Sequence, residues 1–563
     1  MTNIGGSNFD DLLVRLGTAK WNYFYFITIC WFCFLLPGQI ISIVFAVPSV
    51  GFTCIIPEEE AKNAPEQNLT DACTYLLNST SPEGQPLTKP CLQWDFDNST
   101  YSRTLTSQYQ LVCGRQFLRT AYHSLFMIGN LFGPPIAGYF SDKHGRKNVA
   151  VAGCLVLTVA AVILPFIPSL PGILAVRFIM GFANLPTAYI LAMEVCEPNK
   201  RSYVGILLVL PWALGTMAYG AIAYLVRDWE WLQCIVSFPL LVFLPAIWLL
   251  DESPRWLIVA GQHEKALVIL KKAARWNKAT LPPDSELRAV MNEIQRESNE
   301  ARAQAMARES DDSLTESQRS PDPSKSRRIS SNFACLLKCG LCSTVHIRIV
   351  TLVMTLCFCV SSMVFHGLTL SSKNFSINVF AYIIVGGLVE VPAYSLSAVV
   401  VDKFGRRKPL SICFFVCGLS LVAIVVSPQG ITWLIMLLAM VGKLGICSAG
   451  QMNYLYLSEL YPTEYRLQGM GVAILAQRFG SMMGPVIVSV MSPLSWWGPS
   501  AFMGAMTLLA SLATLALPET LGAVLPDTLA DLAELFANKR GKKNHKSDGE
   551  SPDTTEESKP MRT

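Results

Sequence analysis

Charge is scarce in this chain. Only 15% of its 563 residues are Asp, Glu, Lys or Arg, against roughly 25% in ordinary globular proteins. With 51% apolar residues and a mean hydropathy of +0.37, that shortage excludes a string of soluble domains and describes a polytopic membrane protein. Nor is there a GxxxxGK[ST] phosphate loop, which argues against direct ATP drive. No hydrolytic triad stands out, so the sequence reads as no enzyme and calls for no cofactor and no metal. The basic residues are scattered over short turns and the net charge is only +4, so no nucleic-acid partner is expected. Nor does the N-terminal stretch read as a cleavable leader. The first apolar run, Trp21 to Val47, is longer than a signal-peptide core, follows Asp10, Asp11 and Arg15, and has no small-residue cleavage site behind it. It reads as an uncleaved first span.

What is present is a series of apolar runs of about 20 residues, each long enough to cross a bilayer. Twelve are expected, near residues 21–47, 118–140, 148–168, 171–194, 203–225, 231–250, 347–369, 378–401, 409–427, 431–458, 468–491 and 497–517. They are not independent. Gly138-Tyr-Phe-Ser-Asp142-Lys-His-Gly145-Arg146-Lys147 is echoed by Val401-Asp402-Lys-Phe-Gly405-Arg406-Arg407-Lys408. Glu194 and Arg201 recur, at the same spacing, as Glu459 and Arg466, and Glu252-Ser253 recurs as Glu519-Thr520. Asp142 to Asp402 is 260 residues, Glu194 to Glu459 is 265 and Glu252 to Glu519 is 267. Three anchors at nearly one interval indicate an internal duplication. Two parallel six-helix halves with a site between them at the midplane are a transporter architecture.

Topology follows from charge. Short loops on one side hold Lys143, Arg146, Lys147, Lys200, Arg201, Lys403, Arg406, Arg407, Lys408 and Arg466, while those opposite hold little beyond Arg227 and Lys373. By the positive-inside rule, both termini are cytosolic. The long polar segment 48–117 then faces outward. It carries the glycosylation sequons at Asn68, Asn78 and Asn98 and the cysteines Cys54, Cys73, Cys91 and Cys113, both suited to the lumenal or outer compartment. Four cysteines allow three pairings, and spacing does not choose among them. Cytosolic segments are expected at 251–346 and 521–563. The first opens with an amphipathic helix through Lys265–Arg275 and turns Ser-, Asp- and Arg-rich over Arg308–Ser331, a composition that predicts disorder. Arg327-Arg328-Ile-Ser330 fits a basophilic kinase, and an unmodified linker fits it equally. The tail after Thr520 ends in a similar charged, solvated run. Cys335, Cys339 and Cys342 stand beside a membrane helix and read as free or palmitoylated thiols rather than an iron–sulfur site.

In the Asp142 turn, Gly138 suits close helix packing, and Gly145 suits the positive φ of a tight turn. Asp142 is placed to accept from Arg146 or to sit at a helix N-terminus. The two turns resemble the signature loops of the major facilitator superfamily. More narrowly, Glu252-Ser-Pro-Arg-Trp256, Glu459-Leu-Tyr-Pro-Thr463 with Arg466, and Leu517-Pro-Glu-Thr520 resemble the organic ion transporters of solute carrier family 22. The large loop after the first span and the long loop after the sixth match as well. Asp251 departs from the pattern, standing where that family usually has Pro. The resemblance implies an all-α membrane protein of twelve transmembrane helices in two pseudo-symmetric six-helix bundles, residues 1–250 and 347–520. It also implies gating by Gly138, Asp142, Gly145, Arg146, Glu194 and Arg201 in one half, and by Asp402, Gly405, Arg406, Glu459 and Arg466 in the other.

Charged side chains inside spans cost about 2.5–3.5 kcal/mol each on insertion scales, and so mark function by default. Arg177, Glu390, Lys443 and Arg478 are such residues. Arg177 reads as a helix brace. Glu390 and Lys443 can neutralise each other or meet substrate. Arg478 lies where cation-preferring members of the resembling family tend to carry an acid, and anion and carnitine-type members Arg. If these last three share one cavity, its formal charge is +1, which a carboxylate neutralises. Val389-Glu-Val-Pro-Ala-Tyr394 also resembles the carnitine and zwitterion members. Phe358 and Phe365, seven apart on one helical face and followed by His366, read as apolar walls, with Trp212, Tyr382, Tyr394 and Tyr454 as further lining.

The expected activity is transport of a small organic ion across a plasma membrane by alternating access, leaning to anions or carnitine-like zwitterions. Expected partners are that ion, membrane lipid, and a coupling ion (sodium or proton) or an exchanged counter-substrate. A potential-driven organic cation uniporter and a non-transporting receptor or sensor are the alternatives.

Overall fold

The computed structural model describes residues 8–56, 73–80, 86–184, 187–317, 344–375, 378–428, 430–462, 465–522, 526 and 529–544. Each of the twelve expected spans is helical, two of them in two pieces. Span 1 is Lys20–Ile40, continued after a break at Ile41-Ser42 by Ile43–Ala46; spans 2 and 3 are Phe117–His144 and Arg146–Ile163. Span 4 is interrupted: Leu170–Ala183 ends at Asn184, and Thr187–Glu194 resumes it. Spans 5 and 6 are Arg201–Leu225 and Trp229–Leu249. Spans 7 to 12 are Val345–Leu370, Val379–Phe404, Arg407–Val426, Thr432–Leu460, Arg466–Met491 and Gly498–Thr514. Ten described spans are both long and apolar enough to cross a bilayer by composition alone. Span 2 falls outside because Asn130, Pro134, Pro135 and its glycines dilute its most apolar stretch, and span 12 because it is only 17 residues long.

Packing follows the duplication. Span 1 lies on 5, 2 on 4 and 3 on 6; span 7 lies on 11, 8 on 10 and 9 on 12. Adding six to each number in the first set yields the second. The halves meet through spans 5 and 8 and through spans 2 and 11, a pairing that the same operation maps onto itself. Glycines permit the closest approaches: a methyl at Gly133 would overlap the Phe182 carbonyl, and one at Gly480 the Cys359 carbonyl. In lipid, where apolar surface alone does not drive helices together, such small-residue contacts supply the packing. The proposed packing role of Gly138 is not found. Gly138 is exposed with nothing within 4 Å of where a Cβ would stand, because the covered face of span 2 runs through Gly129, Gly133, Ala137 and Ser141 and Gly138 lies off it.

One end of the bundle, here the loop face, carries the described parts of segment 48–117. Strand Phe52–Ile55 pairs with Gln93–Phe96, and Thr74–Thr80 pairs with Pro86–Pro90, both antiparallel. Of the three possible cysteine pairings, the fold makes Cys54–Cys91 and Cys73–Cys113. Asn98 is exposed; Asn78 sits in a strand; Asn68 lies outside the described residues. Across this face the halves touch through Phe380 of span 8, which stacks on Phe45 at 5.4 Å and meets Tyr101 and Tyr224 at 5.8 and 5.7 Å.

The opposite, basic face carries the Asp142 and Asp402 turns. Against it pack Asn8–Leu16, Pro254–Val259, His263–Asn277 and Asp284–Ser317. Asn277 binds them to span 1, donating to the Leu16 and Gly17 carbonyls and to Asn22. One expectation changes here. The helix runs on through Arg308–Ser317, where composition predicted disorder, because it continues a stretch rich in the helix formers Ala, Glu and Arg. The tail forms Leu529–Asn544, with Leu532 buried and Phe536 against His346 at 4.8 Å; its end, read as a solvated run, lies outside the described residues. Ser330, Cys335, Cys339 and Cys342 lie outside the described residues.

Candidate functional site

The turn at each half is built the same way. Gly145 (φ 102) and Gly405 (φ 86) occupy backbone conformations closed to residues with a Cβ. That leaves the first N–H groups of spans 3 and 9 pointing outward, and a carboxylate from a later segment of the same half accepts them. Lys147 N donates to Glu252 Oε1 at 2.9 Å; Arg406 N and Arg407 N donate to the two oxygens of Glu519 at 2.8 and 3.2 Å. A negative charge at a helix N-terminus is favoured by the helix dipole. These two glutamates recur in the sequence at the duplication interval, but their capping role became visible only in three dimensions.

The arginines complete each turn and then diverge. Arg146 reaches Asp142 at 2.6 Å and Glu194 at 3.3 Å. Arg406 instead forks onto Glu459 through three contacts of 2.9–3.1 Å, and Thr520 also donates to Glu459. Asp402 is exposed and makes no ion pair among the described residues. Arg201 pairs with Asp10 at 2.9 Å, and Arg466 donates to the Tyr461 carbonyl. Neither arginine meets the glutamate seven residues before it. Each network therefore joins helices within one half.

Between the halves, Glu390 of span 8 and Lys443 of span 10 form an ion pair at 2.9 Å with side chains 0% and 1% exposed. Tyr394 donates to Glu390 at 3.4 Å, Trp212 of span 5 also bears on that carboxylate, and the Lys443 ammonium stands 5.6 Å from the Phe365 ring. Phe358 is buried edge-on to Tyr454 at 5.0 Å. Tyr454, in the last third of span 10, donates to Gln477 at 2.6 Å and is 39% exposed. Its neighbours come from both halves, including Tyr189 of span 4, so this exposure opens between them. Arg478 of span 11 is half-buried beside it. Its Nε has no hydrogen-bond partner, and no described acid pairs with it. Tyr382 points elsewhere, donating to the Leu368 carbonyl.

Arg177 is wholly buried. It donates to the Gln39 carbonyl at 2.9 Å and lies 4.4 and 4.6 Å from the centres of the Tyr122 and Phe126 rings, so it braces spans 1, 2 and 4 by cation–π contact. Sequence reasoning missed His123 of span 2, which faces His366 of span 7 across the halves at 5.5 Å. The signal was available: His123 is an ionisable residue inside a span, as telling as the four cations and acids singled out.

The profile of the sugar (and other) transporter family matches residues 87–529. An organic cation transporter-like protein of Drosophila melanogaster is 30% identical, with 94% of this chain and 93% of that protein aligned. Solute carrier family 22 member 6 of Oryctolagus cuniculus is 30% identical over 83% of this chain and 79% of its own length. The organic cation/carnitine transporter 2 of Homo sapiens is 29% identical over 82% and 77%. Among solved structures, the inward-open xylose transporter XylE of E. coli superposes with a TM-score of 0.59 at 17% identity, covering 91% of this chain and all of that one. That likeness carries the fold alone, and the sequence relatives carry the family. The chain belongs to solute carrier family 22, the organic ion transporters of the major facilitator superfamily.

Proposed function

We propose that this protein moves a small organic anion or carnitine-like zwitterion across the plasma membrane by alternating access. The two halves, residues 1–250 and 347–520, would rock about the space between them, joined by 251–346. The concentration of Lys and Arg in the short loops of the basic face supports a cytosolic position for that face and for both termini. Relatives named as organic cation, carnitine and solute carrier 22 transporters support the substrate class.

The observation that carries the anionic lean is the imbalance of charge at the midplane. Glu390 and Lys443 cancel each other at 2.9 Å, and Arg478 has no acid against it among the described residues. An uncompensated guanidinium in a site of low polarity favours a carboxylate, which it grips bidentately. A cation entering the same space would add to the charge. Phe358, Phe365, His366, Tyr394, Tyr454 and Trp212 supply the apolar and hydrogen-bonding wall. The Asp142 and Asp402 turns hold each half rigid and act as cytosolic latches when the site faces outward.

Flux measurements on the full chain in proteoliposomes test this reading. Carboxylates and zwitterions should be carried, with sodium, pH and internal counter-substrate varied to read the coupling. Binding with no flux of any solute would leave a receptor, and flux of quaternary amines alone would leave a cation uniporter.

A further inference from the structure

Two histidines meet across the halves on the loop side of Arg478. His123 of span 2 and His366 of span 7 each lie within about two turns of the loop-face end of their helix, with ring centres 5.5 Å apart. His123 is buried and His366 half-buried. The His366 Nδ1 stands 2.9 Å from the Ser362 carbonyl oxygen. A carbonyl only accepts, so Nδ1 carries the hydrogen and Nε2 is left as the basic nitrogen. The charges around the pair are of one sign. Arg177 of span 4 stands beside His123, as does the Ser481 backbone of span 11, and Arg478 of span 11 stands beside His366. On span 2 itself Arg119 lies one turn nearer the loop face. The Tyr122 and Tyr219 phenols adjoin Arg177, and that of Tyr454 adjoins Arg478. Lys443 of span 10, near the Phe365 ring, is already paired with Glu390. Span 12 and the Ile43–Ala46 piece of span 1 hold no charged residue, and the charges of span 3 are at its basic-face end. No acid among the described residues bears on either imidazole.

Resting on the anionic reading of the Arg478 site, we infer that the His123–His366 pair binds a coupling proton, so that the anion is carried together with a proton taken from the loop side. With Arg177 and Arg478 unopposed, an imidazolium in this position is repelled by two guanidinium groups. A carboxylate on Arg478 cancels one of those charges, and the pair then accepts a proton more readily. By linkage, the proton strengthens carboxylate binding by the same factor. The rings belong to different halves, so opening the loop face must part them and admits water to His366. The proton comes from that water and forms an N–H bond at an imidazole nitrogen. Once the loop face has closed and the basic face has opened, departure of the anion restores the repulsion from Arg478, and the proton passes to water on that side.

The test uses the full chain in proteoliposomes with a pH-sensitive dye inside. The probes are benzenesulfonate, which stays ionised at every pH used, and carnitine, whose quaternary ammonium keeps it from crossing lipid unaided. Lowering the external pH from about 7.5 to about 5.5, across the range in which histidine titrates, should raise initial uptake at least about fivefold. Uptake should also acidify the lumen, by about one proton per anion. In His123→Gln, the anion flux that remains should bring no proton and should vary less than about twofold over the same pH range. If that chain does not fold, His366→Gln takes its place with the same readout, since protons per anion do not depend on how much flux survives. Flux of either probe without acidification of the lumen in the parent chain overturns the coupling alone, as does a folded His123→Gln chain that still acidifies it. Flux of a quaternary amine with no flux of either probe at any pH removes the anionic reading, and this coupling with it.

Discussion

Replacing Lys443 by Met removes one member of an ion pair whose side chains are 0% and 1% exposed. The carboxylate left behind has Tyr394 as a remaining hydrogen-bond partner, at 3.4 Å. Stranding one charge of a buried pair destabilises by about 3–5 kcal/mol. A second route leads to a similar figure. Glu390 can escape the penalty by taking a proton, which from an ordinary glutamate pKa near 4.3 costs about 3.7 kcal/mol at pH 7, each pKa unit being about 1.36 kcal/mol. That cost shrinks as pH falls, so the Lys443→Met chain should recover about 1.4 kcal/mol of stability per pH unit between pH 7 and 5. Glu390→Gln with Lys443→Met removes both charges and should fall within about 1–2 kcal/mol of the parent, because a buried pair exchanged for neutral groups of similar volume is often close to neutral. Unfolding in mixed micelles across pH, arranged as a double-mutant cycle, measures all three quantities. If the double variant is destabilised by the sum of the two single changes, Glu390 and Lys443 do not act as a pair and the charge balance drawn at the midplane is wrong.

Other outcomes follow from the turns and the loop. Gly145→Ala should cost about 1–3 kcal/mol from backbone strain alone, and more because its methyl would overlap the Glu252 carboxylate; Gly138→Ala, which meets nothing, should be silent in the same thermal melts. Arg406→Lys loses the fork onto Glu459 and should destabilise the second half by about 1–3 kcal/mol, whereas Asp402→Asn, with no ion pair to lose, should stay within about 0.5 kcal/mol. For the disulfides, Cys54→Ser with Cys91→Ser should melt like either single change, while Cys54→Ser with Cys73→Ser breaks two bridges and should melt lower. Equal melting of the two double variants would contradict the pairing.

The helices were legible because the bilayer sets their length, and the duplication because Asp142, Glu194 and Glu252 recur at nearly one interval. What the sequence left open was whatever depends on contacts between distant segments. Glu252 and Glu519 were visible as repeated anchors, yet their role as caps requires knowing that a helix N-terminus stands in front of them. Arg201 and Arg466 follow a glutamate at fixed spacing, but folding turns them to Asp10 and to the Tyr461 carbonyl. Four cysteines held no information on their own partners. Gly138 was misjudged because a glycine in a motif does not reveal which face of its helix is covered. The Glu390–Lys443 pair was legible for a simple reason: a charge inside a membrane span needs a cause.

In the proposed function, Arg478 is the group that would choose the sign of the substrate. The direct measurement is competition for uptake in proteoliposomes between a carboxylate and a quaternary amine, in the parent chain and in Arg478→Asp. The parent should be inhibited by the carboxylate, and the variant should lose that inhibition by about tenfold or more while gaining sensitivity to the amine. Identical preference in the two proteins would contradict the assignment of this residue and the charge argument built on it.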